Sequence, residues 1–556
     1  MIVEYMLSFR RRISGQTMVL TVIVCIANLL NGCVANRSYR RASEMIPNQL
    51  ASSIDPSNPS ESDCSELNTP CVSIGKEGVK PQHFYLSYIE FDDMGELWSI
   101  GDLNTSTGPR PSSVKQSQLE LAVSTIRRAK SQAERLHTEL VVISFIHGWH
   151  NNASQYDEQQ KNLGGFKSVL QRLSFRGSVL DDNKPPVVVG IFIAWRGQVI
   201  PGDVFSSYWN RRDAANVVGG PSMTEVITRL MFETKGASSS PNPQNRCRQD
   251  VIGRQQEIDS KSRFLIIGHS FGARILEDAI GQPMLAILLE RQSQAESCVI
   301  AWNQQHQDEA PLQTVNFKPP ADLVVFLNAA NGSLETKSII EAFKRSHLCG
   351  ALQSTVVGNQ DGCRDFLFQG PLMISITSQG DWATGKVMPL AQTLSIPWKA
   401  FRRYDPDACG LGELGSRNQT WYFRHNDGNV PEMQSHEVQY VGDVKLDTEC
   451  GKNEWPYFTV VKPGHLRCFR IMTLAEEKTV GSHANCPTSK AAPPWNNTPF
   501  YVMRVPSTLI ADHNDIFQDG TIELLNTIVD HYILSMPGTI TAPAPSPNRP
   551  FSKTGQ

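Results

Sequence analysis

The residues best equipped for chemistry stand at positions 268 to 272, Gly268-His269-Ser270-Phe271-Gly272. An apolar segment, Phe264-Leu265-Ile266-Ile267, precedes them, and a helical pattern, Ala273-Arg274-Ile275-Leu276-Glu277, follows. A serine on a tight turn from strand to helix has its hydroxyl lifted clear of the sheet, in a backbone geometry that β-carbons on its neighbours would obstruct. Gly268 and Gly272 remove those carbons. The chemistry is nucleophilic: the hydroxyl attacks an acyl carbon and carries it as an ester until a second nucleophile releases it. A serine hydroxyl is a poor nucleophile at neutral pH, so Ser270 needs a base within hydrogen-bond reach and a carboxylate to orient that base.

In this context the motif resembles the nucleophile turn of the α/β-hydrolase superfamily, and the resemblance covers most of residues 83 to 535 outside 398 to 497. It implies a triad in the chain order Ser, Asp or Glu, His. Asp381 leaves the apolar run Leu372 to Thr377 in Ser378-Gln379-Gly380-Asp381 and is the favoured acid. Glu335, in Asn331-Gly332-Ser333-Leu334-Glu335 after the preceding run, is the alternative, since some members of the superfamily carry the acid there. His513 falls between the last apolar run and the final helical segment, where the superfamily keeps its base. Two backbone N–H groups must face the developing oxyanion. Phe271 offers the first. His147-Gly148-Trp149, closing the run Val141 to Ile146, resembles the His-Gly motif after the third strand and makes Trp149 the second donor, with one glycine and a bulky Trp where many lipases carry a longer glycine run.

Other candidates have blander readings. His147 reads as a structural hydrogen-bonder. His425, His436, His465 and His483 lie in a long insertion and read as surface residues, and no His or Cys spacing makes a metal site. Trp195-Arg196-Gly197 and Tyr208-Trp209 read as core packing, with the lining of a pocket as the alternative.

The elements that must position these groups are legible as apolar runs at His83 to Phe91, Leu140 to Ile146, Val187 to Trp195, Phe264 to Ile267, Leu323 to Leu327, Leu372 to Thr377 and Phe500 to Val505. Several are continuous rather than alternating, as in strands buried on both faces of a parallel sheet. Helical patterns at Ser113 to His137, Arg211 to Phe232, Ala273 to Glu290 and Ile522 to Leu534 fall where crossovers are needed. The expectation is an α/β fold, a doubly wound and mostly parallel sheet of the α/β-hydrolase type, with a large insertion before the last strand. Its catalytic domain is expected over 82–536. Residues 233–260 are expected to form a polar loop, and 398–497 an insertion that serves as a lid or as surface decoration.

The N-terminus reads as an address. Arg10 to Arg12 precede Met18 to Leu30, an apolar run too short to span a bilayer comfortably, so 1–32 is expected to be a signal peptide. Leu30-Asn31-Gly32-Cys33 resembles the lipobox of bacterial lipoproteins, which implies lipid on Cys33; an uncleaved anchor and cleavage elsewhere are the alternatives. Residues 33–81 read as a flexible linker and 537–556 as a Pro-rich, disordered tail.

The chain has 12 cysteines; setting aside Cys25 and Cys33 leaves an even set without metal-site spacing, which suggests disulfides in an oxidising compartment such as the periplasm. Cys64 with Cys71, and Cys349 with Cys363, are close enough for local loops. A net charge of -3 gives no electrostatic reason to expect nucleic acid. These readings predict a serine hydrolase of carboxylic esters or thioesters in the bacterial cell envelope, acting on a small-molecule or lipid ester, with membrane contact through the N-terminus and no cofactor. An acyltransferase on the same fold and a noncatalytic envelope-anchored binding lipoprotein are the competing readings.

Overall fold

The structure, a computed structural model, describes residues 38–40, 71–74, 82–98, 117–154, 162–174, 185–198, 207–235, 262–305, 321–345, 372–388, 436–445, 455–458, 465–473 and 500–528. The expected signal peptide, Cys33, the Pro-rich tail and most of the 233–260 loop lie outside these residues.

In chain order the elements are β1 (Cys71–Ile74), β2 (Gln82–Glu90), α1 (Gln118–Leu136), β3 (Leu140–Ile146), α2 (Asn162–Ser174), β4 (Val187–Ala194), α3 (Tyr208–Val218), α4 (Pro221–Lys235) and β5 (Ser262–His269). There follow α5 (Phe271–Gln305), β6 (Leu323–Leu327), α6 (Ser333–Arg345), β7 (Met373–Ser378), β8 (His436–Lys445), β9 (Trp455–Phe458), β10 (His465–Thr473), β11 (Phe500–Val505) and α7 (Asp519–Ile528). The strands form one sheet in the order β1-β2-β4-β3-β5-β6-β7-β11-β8-β10-β9. Pairing is parallel from β2 across to β8. Only the margins are antiparallel, β1 on one side and β10 with β9 on the other.

The apolar runs become central strands because both of their faces are covered. Every residue of β4 is buried. Alternate side chains go to opposite sides: Val187, Val189 and Ile193 join the core beneath α1, α3, α4 and α5, whereas Val188 and Phe192 join the core shared with α2 and α7. Each fully buried aliphatic or Phe side chain contributes roughly 1.5–3 kcal/mol. The protein is therefore of the α/β class, with a mostly parallel sheet and helices on both of its faces.

Several elements differ from the expected ones for identifiable reasons. The helical pattern at Arg211 to Phe232 is two helices, because Gly219-Gly220 ends α3 and Pro221 opens α4, where its missing N–H costs nothing. Helix α1 starts later than Ser113, at an N-cap in which Ser117 Oγ accepts the Glu120 N–H. Within the expected linker, β1 pairs with β2 and Ser38–Arg40 packs on the domain. Within the 398–497 insertion, the described strands β8, β9 and β10 prolong the sheet beyond β11; the rest of the insertion lies outside the described residues. His436, expected on the surface, is buried in β8 and stacks on Tyr501 at 4.0 Å between ring centroids. Burial pushes its imidazole down to about 4. His465 lies in β10, and His425 and His483 are outside the described residues. Cys468 is buried and disulfide-bonded; the side chains of the other nine cysteines in the even set lie outside the described residues.

Candidate active site

Ser270 stands between the last residue of β5 and the first of α5, with φ 55 in a region that non-glycine residues seldom occupy. Its backbone is held there from two sides: its N–H donates to the Leu327 carbonyl, and its own carbonyl accepts from the N–H of Ala330. The flanking glycines permit the turn. A β-carbon at Gly272 would lie 2.6 Å from the His147 carbonyl oxygen, and one at Gly268 would lie 2.6 Å from Ala273 Cα. The first turn of α5 can press against the end of β3 only without those atoms.

Two of the residues expected to serve Ser270 come to it from distant loops. His513, between β11 and α7, places Nε2 2.9 Å from Ser270 Oγ. Its Nδ1 lies 2.9 Å from Asp381 Oδ1, in the loop after β7. An ionised carboxylate only accepts, so Nδ1 carries the proton and Nε2 accepts from the serine hydroxyl. The Asp381 side chain is completely inaccessible. Its Oδ1 also accepts the Thr384 N–H at 3.0 Å and its Oδ2 the Thr384 hydroxyl at 2.5 Å. Burial pushes the Asp381 carboxyl up, but the adjacent His513 charge and the hydrogen bonds from His513 and Thr384 outweigh it and hold the group below the ordinary carboxylate range.

Glu335 is not part of this relay. It sits in the first turn of α6, where Oε2 accepts the Gly332 N–H at 3.2 Å and both oxygens face the Arg274 guanidinium at 3.2 and 3.3 Å. Arg274 also donates to Asn216 at 2.5 Å, tying α5 to α3 and α6.

The imidazole of His513 is set by contacts that the motifs do not announce. Its carbonyl accepts two hydrogen bonds, from His269 Nε2–H at 2.9 Å and from Asn328 Nδ2–H at 3.1 Å. Asn328 Oδ1 in turn accepts the Ser378 N–H at 3.0 Å, at the base of the loop that carries Asp381. Ser378 Oγ–H donates to the Ile510 carbonyl at 2.5 Å and accepts the Gly380 N–H at 2.9 Å. The loop after β7 and the loop after β11 are thus laced together. Asn328 has φ 45, a conformation Asn tolerates better than most residues. His269 is fully buried; burial, reinforced by the neighbouring His513, pushes its imidazole down to about 3, so it remains a neutral donor.

On the other side of Ser270, the loop after β3 comes close: a β-carbon at Gly148 would lie 2.8 Å from Ser270 Cβ. Among the described residues no acceptor engages the backbone N–H of Trp149 or of Phe271. The loop is braced by the one after β4. His147 Nδ1–H donates to the Gly148 carbonyl at 2.9 Å, and its Nε2 accepts the Trp195 N–H at 3.1 Å. Trp195 Nε1–H returns to the His147 carbonyl at 2.9 Å, and His150 N–H donates to the Gly197 carbonyl at 3.1 Å. Trp195 and Tyr208 are core residues that pack around Phe271. Both ring nitrogens of His147 are therefore used structurally, and Trp195 braces the loop from within the core.

Three signals for the supporting residues were present but unreadable in isolation. Asn328 follows an apolar run, His269 sits inside the serine motif, and Thr384 lies three residues after Asp381. Each acquires meaning only when two loops meet. Among the described residues there is no group of three or more His, Cys, Asp or Glu side chains arranged to hold a metal ion, and no helix long and apolar enough to cross a membrane.

The fold and the site define an α/β protein that carries a hydrogen-bonded Ser-His-Asp set at the C-terminal edge of a parallel sheet. No family model matches the chain, and no curated protein or solved structure is detectably similar to it.

Proposed function

We propose that the protein is a serine hydrolase of the α/β-hydrolase type that cleaves a carboxylic ester or thioester through an acyl-enzyme. The observation that carries this reading is the continuous relay Ser270 Oγ, His513 Nε2, His513 Nδ1, Asp381 Oδ1, with 2.9 Å at each hydrogen bond and the serine on a strained strand-to-helix turn. His513 takes the proton of Ser270 as its oxygen attacks the acyl carbon, and Asp381 stabilises the resulting imidazolium. The N–H groups of Phe271 and Trp149 receive the oxyanion. His513 then returns the proton to the departing alcohol or thiol, activates water, and frees the acid. The chemistry needs no metal or organic cofactor.

The lipobox-like Leu30 to Cys33 and the disulfide at Cys468 support an exported, envelope-anchored enzyme acting on a small-molecule or lipid ester. A panel of p-nitrophenyl and thioesters of graded acyl length tests the reading. Turnover is expected in the wild type and a loss on the order of 10⁶-fold in kcat is expected for Ser270→Ala, with an unchanged circular dichroism spectrum. Undiminished turnover in that variant would remove Ser270 from the mechanism.

A further inference from the structure

We propose that the C-terminal edge of the parallel sheet, the edge that holds Ser270, is the face the protein lays against a lipid bilayer, and that Glu90 fixes this orientation by gripping the chain where it arrives from its anchor. The proposal rests on the membrane-tethered reading of the N-terminus, whether the tether is lipid on Cys33 or the retained run Met18 to Leu30. It deepens the enzymatic reading by making the substrate an ester resident in the leaflet.

Glu90 is the last residue of β2 and is buried. Its Oε1 accepts the Ser38 hydroxyl at 2.5 Å and the Arg40 N–H at 3.1 Å, and its Oε2 accepts the Tyr39 N–H at 2.8 Å. Gln118 completes the grip: Nε2–H donates to Glu90 Oε1 at 3.3 Å, and Oε1 accepts the Glu90 N–H at 2.5 Å. The Arg40 guanidinium lies 4.1 Å from the centre of the Tyr88 ring, with the side chain buried against the domain. A carboxylate withdrawn from water is costly unless donors replace the solvent. Here the donors come from three successive residues of one arriving segment.

That grip sets a short leash. Cys33 is five residues before Ser38, a span of at most roughly 18 Å when fully extended. Glu90 is level with Ala194 in β4, Ile193 with Ile146 in β3, and Ile146 with Gly268 in β5. Glu90, and with it the segment Ser38–Arg40 that it holds, is therefore on the same edge of the sheet as Ser270, three strands and about 15 Å away. Two large apolar side chains are exposed in loops leaving that edge: Met94, 72% accessible just after β2, and Trp382, 56% accessible beside Asp381. They flank Ser270 along the sheet, and Trp is a residue favoured at the membrane interface. A tether, a short leash and two apolar contacts on one edge specify an orientation that an anchor on a long free linker would not.

A photoreactive benzophenone amino acid placed singly at Met94, Trp382 and Leu136 tests this in the full-length processed protein on phosphatidylethanolamine/phosphatidylglycerol vesicles. Leu136 is exposed at the C-terminal end of α1, on the opposite edge of the sheet, and serves as the contrast. After illumination, lipid adducts counted by mass spectrometry are expected at positions 94 and 382 at about ten times the yield at 136. Equal yields at all three positions, no lipid adducts, or adducts to protein alone would overturn the proposal. A flexible Gly/Ser spacer of about twenty residues inserted between Asn36 and Arg37 leaves the folded domain intact but lengthens the leash. It is expected to lower the adduct yield at 94 several-fold, and an unchanged yield would remove Glu90 as the orienting grip. Neither readout requires turnover. An inactive Ser270 would therefore leave the orientation standing, and a failed crosslink would leave the nucleophile standing.

Discussion

Two carboxylates approach the turn that carries Ser270, and their surroundings differ in every respect that matters. Asp381 is sealed from solvent, receives two hydrogen bonds from Thr384, and spends its remaining capacity on His513. Glu335 is 51% accessible, closes a turn at the start of α6 and faces a guanidinium. Both follow parallel strands near the serine, so strand position alone does not separate them. The separation comes from direction. Asn328, after β6, bonds both the Ser378 N–H and the His513 carbonyl, and Ser378 bonds Ile510, but of these loops it is the one after β7 that brings a carboxylate to the imidazole. Glu335 instead fastens α5 to its neighbours through Arg274.

The largest expected effect breaks the comparison at Asp381. Asp381→Asn keeps the shape but removes the charge that stabilises imidazolium and favours the wrong tautomer, so kcat/KM on a soluble ester should fall by about 10⁴-fold. Glu335→Gln, at a screened and half-exposed site, should change it by no more than a few-fold. Measuring both amides side by side decides between them. A collapse in the Glu335 variant beside an active Asp381 variant would reverse their roles.

A smaller effect is expected from cutting the lacing without touching either member of the relay. Asn328→Gly tolerates the positive φ but strips the Ser378 N–H and the His513 carbonyl of a partner. A displacement of His513 approaching 1 Å would lower kcat by up to about 10²-fold. The effect should fall on kcat with KM nearly unchanged, whereas a KM effect alone would mean that Asn328 acts on substrate binding.

What could be read from the sequence follows the same division. The central strands were legible because burial on both faces demands uninterrupted runs such as Val187 to Ala194, and the turn at Ser270 because its glycines have a steric reason to be there. Ser270, Asp381 and His513 could be nominated by chain order, yet their meeting is a property of loops that no local pattern encodes. The margins were illegible for another reason. Cys71–Ile74 is too short to announce a strand, and β8 carries polar residues on its outward positions, so both depend on a neighbour's open edge. Ser38–Arg40 looked like linker because its partner, Glu90, is supplied from fifty residues away.

The smallest expected effect concerns stability and sharpens the contrast between buried and exposed groups. His269 and His436 have folded-state values near 3 and 4, below the ordinary 6.5. As the pH falls below about 6.5 the unfolded chain takes up protons that the folded chain refuses, so stability present above that pH is progressively lost down toward those folded values. The depressed Asp381 carboxyl adds a loss in the same direction at still lower pH, below its ordinary range. Thermal melts should show a Tm that declines from pH 7 to pH 4.5, and His436→Phe should flatten part of that decline. A Tm that rose on acidification would contradict the burial of both rings in neutral form.

The most direct measurement is the position of a covalent adduct. Treating the protein with a fluorophosphonate and sequencing the labelled peptide by mass spectrometry should place the phosphonyl group on Ser270 alone, with labelling slowed by orders of magnitude in Asp381→Asn and unaltered within a few-fold in Glu335→Gln. An adduct on another residue, or a folded wild type that takes up no probe, would contradict the assignment of Ser270, His513 and Asp381 as one nucleophilic relay.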